Sequence, residues 1–181
     1  MNEKKPAARQ SWIPAKERKW VFAFLALAFV LVAYGLWKML YDVSTGWHSP
    51  PFKESFQSYG SVARILLFAV LALYPFMLAM KKRMFDRWTG VKKMAIRLLK
   101  WVRHFHAPLA IAAIGLIALH VVGALLYGIR FDFTDVSGLA AAAVLIGVPV
   151  AGIFRYRRLD RKWHLRLGLL FGALFLIHAF L

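Results

Sequence analysis

Six histidines stand in a chain that has no cysteine, and four of them fall into a pattern. His106 and His120 are 14 residues apart, and so are His164 and His178. Fourteen helical residues turn through about 1400°, within roughly 40° of a whole number of turns, and rise about 21 Å. The two histidines of each pair therefore share a helix face, one near a membrane surface and one at depth. Imidazole is the commonest metal ligand, and ionisable groups inside a membrane are functional by default. If the two helices run the same way, His106 is level with His164 and His120 is level with His178. Each level then offers two imidazoles to one iron, which predicts two bis-histidine haem sites stacked across a membrane.

The remaining histidines compete poorly. His104 lies 16 residues from His120, about 1600° round the helix, and so well off the shared face. It stays the alternative to His106 as a ligand. His48 has no partner at depth and reads as a solvated or interfacial residue. The lack of cysteine removes thiolate and iron–sulfur sites held by this chain. It also removes covalent c-type attachment, which needs Cys-x-x-Cys-His. Any haem is then held by ligation and packing alone, as two non-covalent haems b.

The elements that would position these side chains are apolar blocks. Of 181 residues, 61% are hydrophobic, against about half in a soluble domain. Five blocks are long enough to cross roughly 30 Å of hydrocarbon, at about 20–40, 61–80, 106–127, 136–154 and 164–181. The expected fold is an all-α integral membrane bundle of about five helices, with the histidines on the third and fifth. A basic tail, 1–19, precedes it. The first block is read as a retained helix, because it is too long for a signal-peptide core and Asp42 and Trp47 follow it instead of a cleavage site. Residues 42–60, with Pro50 and Pro51, read as a polar loop. Pro75 is expected to kink the second span. Val91 to Val102 alternates apolar and basic residues at helical spacing, as in a segment that lies flat on an anionic membrane.

The net charge of +17 does not point to nucleic acid, since the positive residues lie between the apolar blocks. Lys and Arg number six in the tail, nine in 81–105 and six in 155–166, against one each in 42–60 and 129–135. The positive-inside rule then places the basic ends, and the N-terminus, in the cytoplasm, and the C-terminus outside. A bacterial cytoplasmic membrane is the expected location. Arg103, Lys162 and Arg166 lie at the basic end, where haem propionates could pair with them, although topology alone explains them. Arg64 lies inside the outer end of the second span and wants an anionic partner, for which an outer-haem propionate would serve, or a path to the surface by snorkelling. Gly115, Gly168 and Gly172 lie between the paired histidines, where a flat macrocycle needs small neighbours; ordinary helix packing is the competing reading.

With these residues in view, the chain resembles the ferric-reductase-like transmembrane family of di-haem b-type cytochromes. The resemblance covers about residues 100–181. It rests on His-x13-His in two helices, preceded by Lys100-Trp101-Val102-Arg103-His104-Phe105-His106 and Arg161-Lys162-Trp163-His164. It implies His106, His120, His164 and His178 as haem ligands, and an electron conduit as the function. Two features depart from the family: six helices are usual where five are counted, and the cytosolic flavin and nicotinamide domain of many members is missing, with no Gly-rich dinucleotide fingerprint. A reductase component of this kind takes electrons from a partner flavoprotein or iron–sulfur protein at the cytoplasmic face, or from a quinol. Two other readings stay open. One is a membrane anchor or quinone-interacting subunit of a larger redox complex. The other is a transporter with a histidine relay, against which stands the lack of Asp or Glu within the spans.

Overall fold

The computed structural model describes residues 15–46, 48–156 and 161–181. The tail up to residue 14, Trp47 and the basic stretch 157–160 lie outside the described residues. Among the described residues six helices follow one another: α1 (Ala15–Gly46), α2 (Pro50–Leu71), α3 (Leu73–Lys81), α4 (Thr89–Tyr127), α5 (Phe133–Tyr156) and α6 (Arg161–Phe180). The described residues hold no strand. α2 and α3 are one apolar run broken at Ala72, so five segments are long and apolar enough to cross a membrane. Phe22, Leu25, Phe29, Val30, Ile65, Ile146 and Leu176 are among many exposed apolar side chains. A surface so uniformly apolar needs lipid rather than water around it.

Three boundaries differ from the sequence expectation. The loop expected at 42–60 shrinks to the residues between α1 and α2. Pro50 and Pro51 open α2 instead of breaking the chain, because the first helical turn has no use for their missing N–H groups. Ser49 caps that turn, its Oγ accepting from the Phe52 N–H at 3.4 Å. The basic tail likewise ends earlier, at the start of α1.

The third difference is in α4, whose 39 residues make a rod of about 58 Å. It carries the amphipathic basic stretch and the span in one piece, with Pro108 buried inside it. The stretch 91–102 is therefore not a separate surface segment. Neighbours hold the junction: Trp20 of α1 meets His104 and Phe105 edge-on, and Arg103 donates to the Met77 sulfur of α3 at 3.4 Å.

Near Pro75 the run of α2 and α3 breaks as expected. Proline has no N–H for the Leu71 carbonyl, and the helix restarts at Leu73. Between α4 and α5, Asp132 caps the new helix by accepting from the Asp135 N–H at 2.9 Å. Asp135 in turn accepts from the Arg130 N–H at 2.7 Å.

α4 packs on α1 and α2 along its length, and α5 packs on α6. At one end, Met39, Phe52, Phe56 and Leu119 form a buried cluster joining α1, α2 and α4. Gly123 makes room for it, since a β carbon there would overlap the Phe56 side chain and stand 3.2 Å from Met39 Cε. Gly123→Ala is expected to destabilise the fold by about 1–3 kcal/mol through overpacking, measurable as a lower thermal midpoint in detergent.

Candidate functional site

The histidine-bearing helices do not pack against each other. Among the described residues no Cα of α4 comes within 8 Å of a Cα of α6, although directly packed helices have axes only about 8–10 Å apart. Their imidazoles reach into the gap at two levels. The rings of His106 and His164 have centroids 6.4 Å apart and planes at 87°. The rings of His120 and His178 also have centroids 6.4 Å apart, with planes at 56°.

That distance has a chemical meaning. Two metal–nitrogen bonds of about 2.0 Å, each extended by about 1.1 Å from nitrogen to ring centre, put two centroids roughly 6.2 Å apart. The observed centroid distance is close to that value at each level. The same distance also lies within the range of edge-to-face ring contacts, and the planes of His106 and His164 stand at 87°.

Backbone carbonyls hold three of the four rings. His120 Nδ1 lies 3.0 Å from the Phe56 carbonyl oxygen of α2. His178 Nδ1 lies 3.0 Å from the Thr134 carbonyl of α5, and His164 Nδ1 lies 3.0 Å from the Val148 carbonyl of α5. A carbonyl oxygen only accepts, so each Nδ1 carries the hydrogen and donates it. A neutral imidazole held in this way keeps its lone pair on Nε2, the state a metal ligand requires. The Ser137 hydroxyl, itself donating to the Thr134 carbonyl at 3.0 Å, stands 3.4 Å from His178 Nδ1.

Between the two levels the space is filled with hydrocarbon. Leu67, Ala113, Ala141, Leu145, Phe171 and Phe175 form one buried cluster from four helices. Ala113 lies seven residues from both His106 and His120, and Phe171 seven from both His164 and His178. The plug thus sits halfway between the imidazole pairs and packs the middle of the bundle with apolar side chains.

Above it, at the end remote from the basic segments, a cavity of about 440 Å³ opens between α2, α4, α5 and α6. It falls within the roughly 300–1,000 Å³ of ordinary ligand and cofactor sites. His120 and His178 line it together with Lys53, Gln57 and Arg64. Arg64 is exposed and reaches towards the end of α6, with Nη1 3.5 Å from the Ala179 carbonyl. A guanidinium at this mouth suits a carboxylate of whatever fills the cavity.

The other candidates stand elsewhere. Arg103 is directed to Met77, and Arg166 lies over the Trp163 ring of its own helix at 5.5 Å. His104 turns to Trp20 of α1, so His106 is the one opposite His164. His48 is exposed at positive φ, with its ring against Tyr127. Gly115 packs on Val32 and Ala28 of α1, and Gly172 on Leu71 of α2, as helix-packing glycines do. Gly168 alone of the three faces open space.

The accepting carbonyls escaped sequence reasoning, as did Gly60, Gly138 and Gly152, whose α carbons lie against the imidazoles. One signal for them existed: Gly138 and Gly152 are 14 residues apart, the interval of the histidines themselves.

Compared with protein-family models, with curated proteins and with solved structures, the chain matches none.

Proposed function

We propose that the chain is a di-haem b-type cytochrome that moves electrons across the membrane as the membrane component of a reductase. The observation that carries this reading is the doubled imidazole pair: two facing pairs, each spaced for one metal, on helices that stand apart. The donor set favours a macrocycle over a bare ion. Among the described residues no three His, Cys, Asp or Glu side chains converge, and a bare transition metal usually takes three or four protein ligands. Two imidazoles in line suffice where a porphyrin brings four nitrogens of its own.

In this reading His106 and His164 hold one haem b near the cytoplasm, and His120 and His178 hold the other towards the outside, with the basic ends inside by the positive-inside rule. Haem b supplies reversible one-electron iron chemistry, and bis-histidine ligation leaves no open position for oxygen. The chain's own residues set the rest. The Nδ1–H bonds fix ring orientation and ligand strength. The Leu67, Ala113, Leu145 and Phe171 plug excludes water and keeps the surroundings apolar. Arg64 offers a cation to an outer carboxylate. The basic segment 81–105 presents a docking face for an acidic flavoprotein or iron–sulfur donor, and a membrane quinol is the other source of electrons consistent with this fold.

The ligand assignment makes a contrast. His106→Ala is expected to remove one haem per chain and leave the second spectrally intact. His104→Ala is expected to keep both. A pyridine haemochrome assay on the two purified variants checks this.

The conduit itself is tested in proteoliposomes that hold ferricyanide, with dithionite added outside and the trapped oxidant followed by its absorbance. Reduction of the trapped oxidant only in vesicles containing the protein is the expected result. Vesicles that stay oxidised, although the protein carries its haems, would contradict electron transfer and leave an anchoring role.

A further inference from the structure

The three carbonyl-bound imidazoles meet the backbone in the same way. His120 lies on the Phe56 carbonyl, His178 on that of Thr134 and His164 on that of Val148. Four residues after each accepting carbonyl comes a glycine: Gly60, Gly138 and Gly152. In an α-helix the carbonyl of one residue bonds the N–H four residues later. The imidazole is therefore an added donor to an oxygen already engaged (at Thr134 beside the Ser137 hydroxyl as well), and it approaches along the flank where the later residue would carry its side chain.

That flank is tight: a β carbon would overlap the ring at Gly60 and Gly138, and at Gly152 the ring would have to give by a few tenths of an ångström. A β carbon on Gly60 would stand 2.7 Å from His120 Nδ1, and one on Gly138 would stand 2.8 Å from His178 Cε1. On Gly152 it would stand 3.3 Å from His164 Nδ1. Helix packing alone does not need this arrangement; Gly115 packs against α1 with no imidazole near it. On α5 the notches recur at 14 residues, in step with the 14-residue interval of the rings on α6.

We infer that Gly60, Gly138 and Gly152 are positioning residues, each opening a notch through which a helix carbonyl holds an imidazole in its Nδ1–H form with Nε2 directed into the gap. Where that Nε2 serves an iron, the inference rests on the proposed function. The notch itself needs no metal.

A methyl group in a notch pushes the ring off its carbonyl. An imidazole that loses its Nδ1–H bond is a weaker donor, which favours the reduced iron and raises the reduction potential at that level only. Gly60 and Gly138 serve the His120/His178 level, and Gly152 serves the His106/His164 level.

The experiment is a potentiometric titration of the purified full-length protein, followed optically and by electron paramagnetic resonance. It compares wild type with Gly60→Ala, Gly138→Ala, Gly152→Ala and the packing control Gly115→Ala. Gly60→Ala and Gly138→Ala are expected to raise the same one of two midpoint potentials and to alter the same low-spin signal. Gly152→Ala is expected to move the other, and Gly115→Ala neither. Unchanged potentials in all three notch variants, or both potentials moving together in each, would overturn the inference.

A second measurement covers variants that fail to assemble. Nitrogen resonances of histidine-labelled wild-type protein, purified without haem, report the tautomers directly. Three imidazoles in the Nδ1–H form are expected, and Nε2–H forms at these positions would overturn the inference. A chain that never takes up haem defeats the proposed function but leaves this readout standing, so the two failures are told apart.

Discussion

Replacing His178 by alanine is expected to halve the haem content, from two per chain to one, and to cut transfer across proteoliposomes to below about one-hundredth of wild type. The size follows from what the residue does. Groups that merely orient a metal ligand cost about 10–100-fold when removed, and His178 is proposed as the ligand itself. The effect should be confined to one level. His106 and His164 lie about 21 Å away along the helices, on the far side of the Phe171 plug, and their pair keeps its geometry. His120→Ala should give the same spectrum and the same loss, because each ring of a facing pair is useless without the other. His178→Ala with two haems retained would mean that the rings face each other for another reason.

The second large effect comes from the helix period. One alanine inserted after Leu170 keeps every residue of α6 but rotates one half of the helix by about 100° against the other and lengthens it by about 1.5 Å. His164 and His178 then cannot both face α4. Haem content is expected to fall from two to one, with helicity and membrane insertion unchanged, since alanine is the best helix former and the span stays apolar. Circular dichroism and the haemochrome assay on one sample separate the two quantities. An insertion mutant with both haems would show that the 14-residue interval carries no constraint.

The period was also what made part of the structure legible. His-x13-His on two parallel helices implies two facing pairs, and the rings of His106 with His164 and of His120 with His178 do face each other at 6.4 Å. The five apolar segments were legible because lipid imposes a length on them. Element ends were less so. Pro50 and Pro51 read as a loop until Ser49 is seen capping the turn they begin, and Pro108 gave no sign that α4 would run through it.

Long flexible cations were the least legible, because their stems let the charge settle on whatever lies near. Arg64 reaches the cavity of His120 and His178, whereas Arg103 and Arg166 are directed to Met77 and Trp163. The glycines that touch the imidazoles were not legible for a different reason. Gly115 and Gly172 pack on neighbouring helices, as the ordinary reading of such glycines has it, whereas those against the imidazoles lie on the opposing helices, α2 and α5, and sequence spacing within one helix does not say what a second helix brings near it.

The central claim is that each chain holds two haems b, one between each facing pair. A dithionite-reduced minus oxidised absorption spectrum of the purified protein in detergent, with a pyridine haemochrome count per chain, tests it most directly. The account predicts a sharp b-type α band and two haems per chain. A protein that carries no haem when produced with ample haem supply would contradict it.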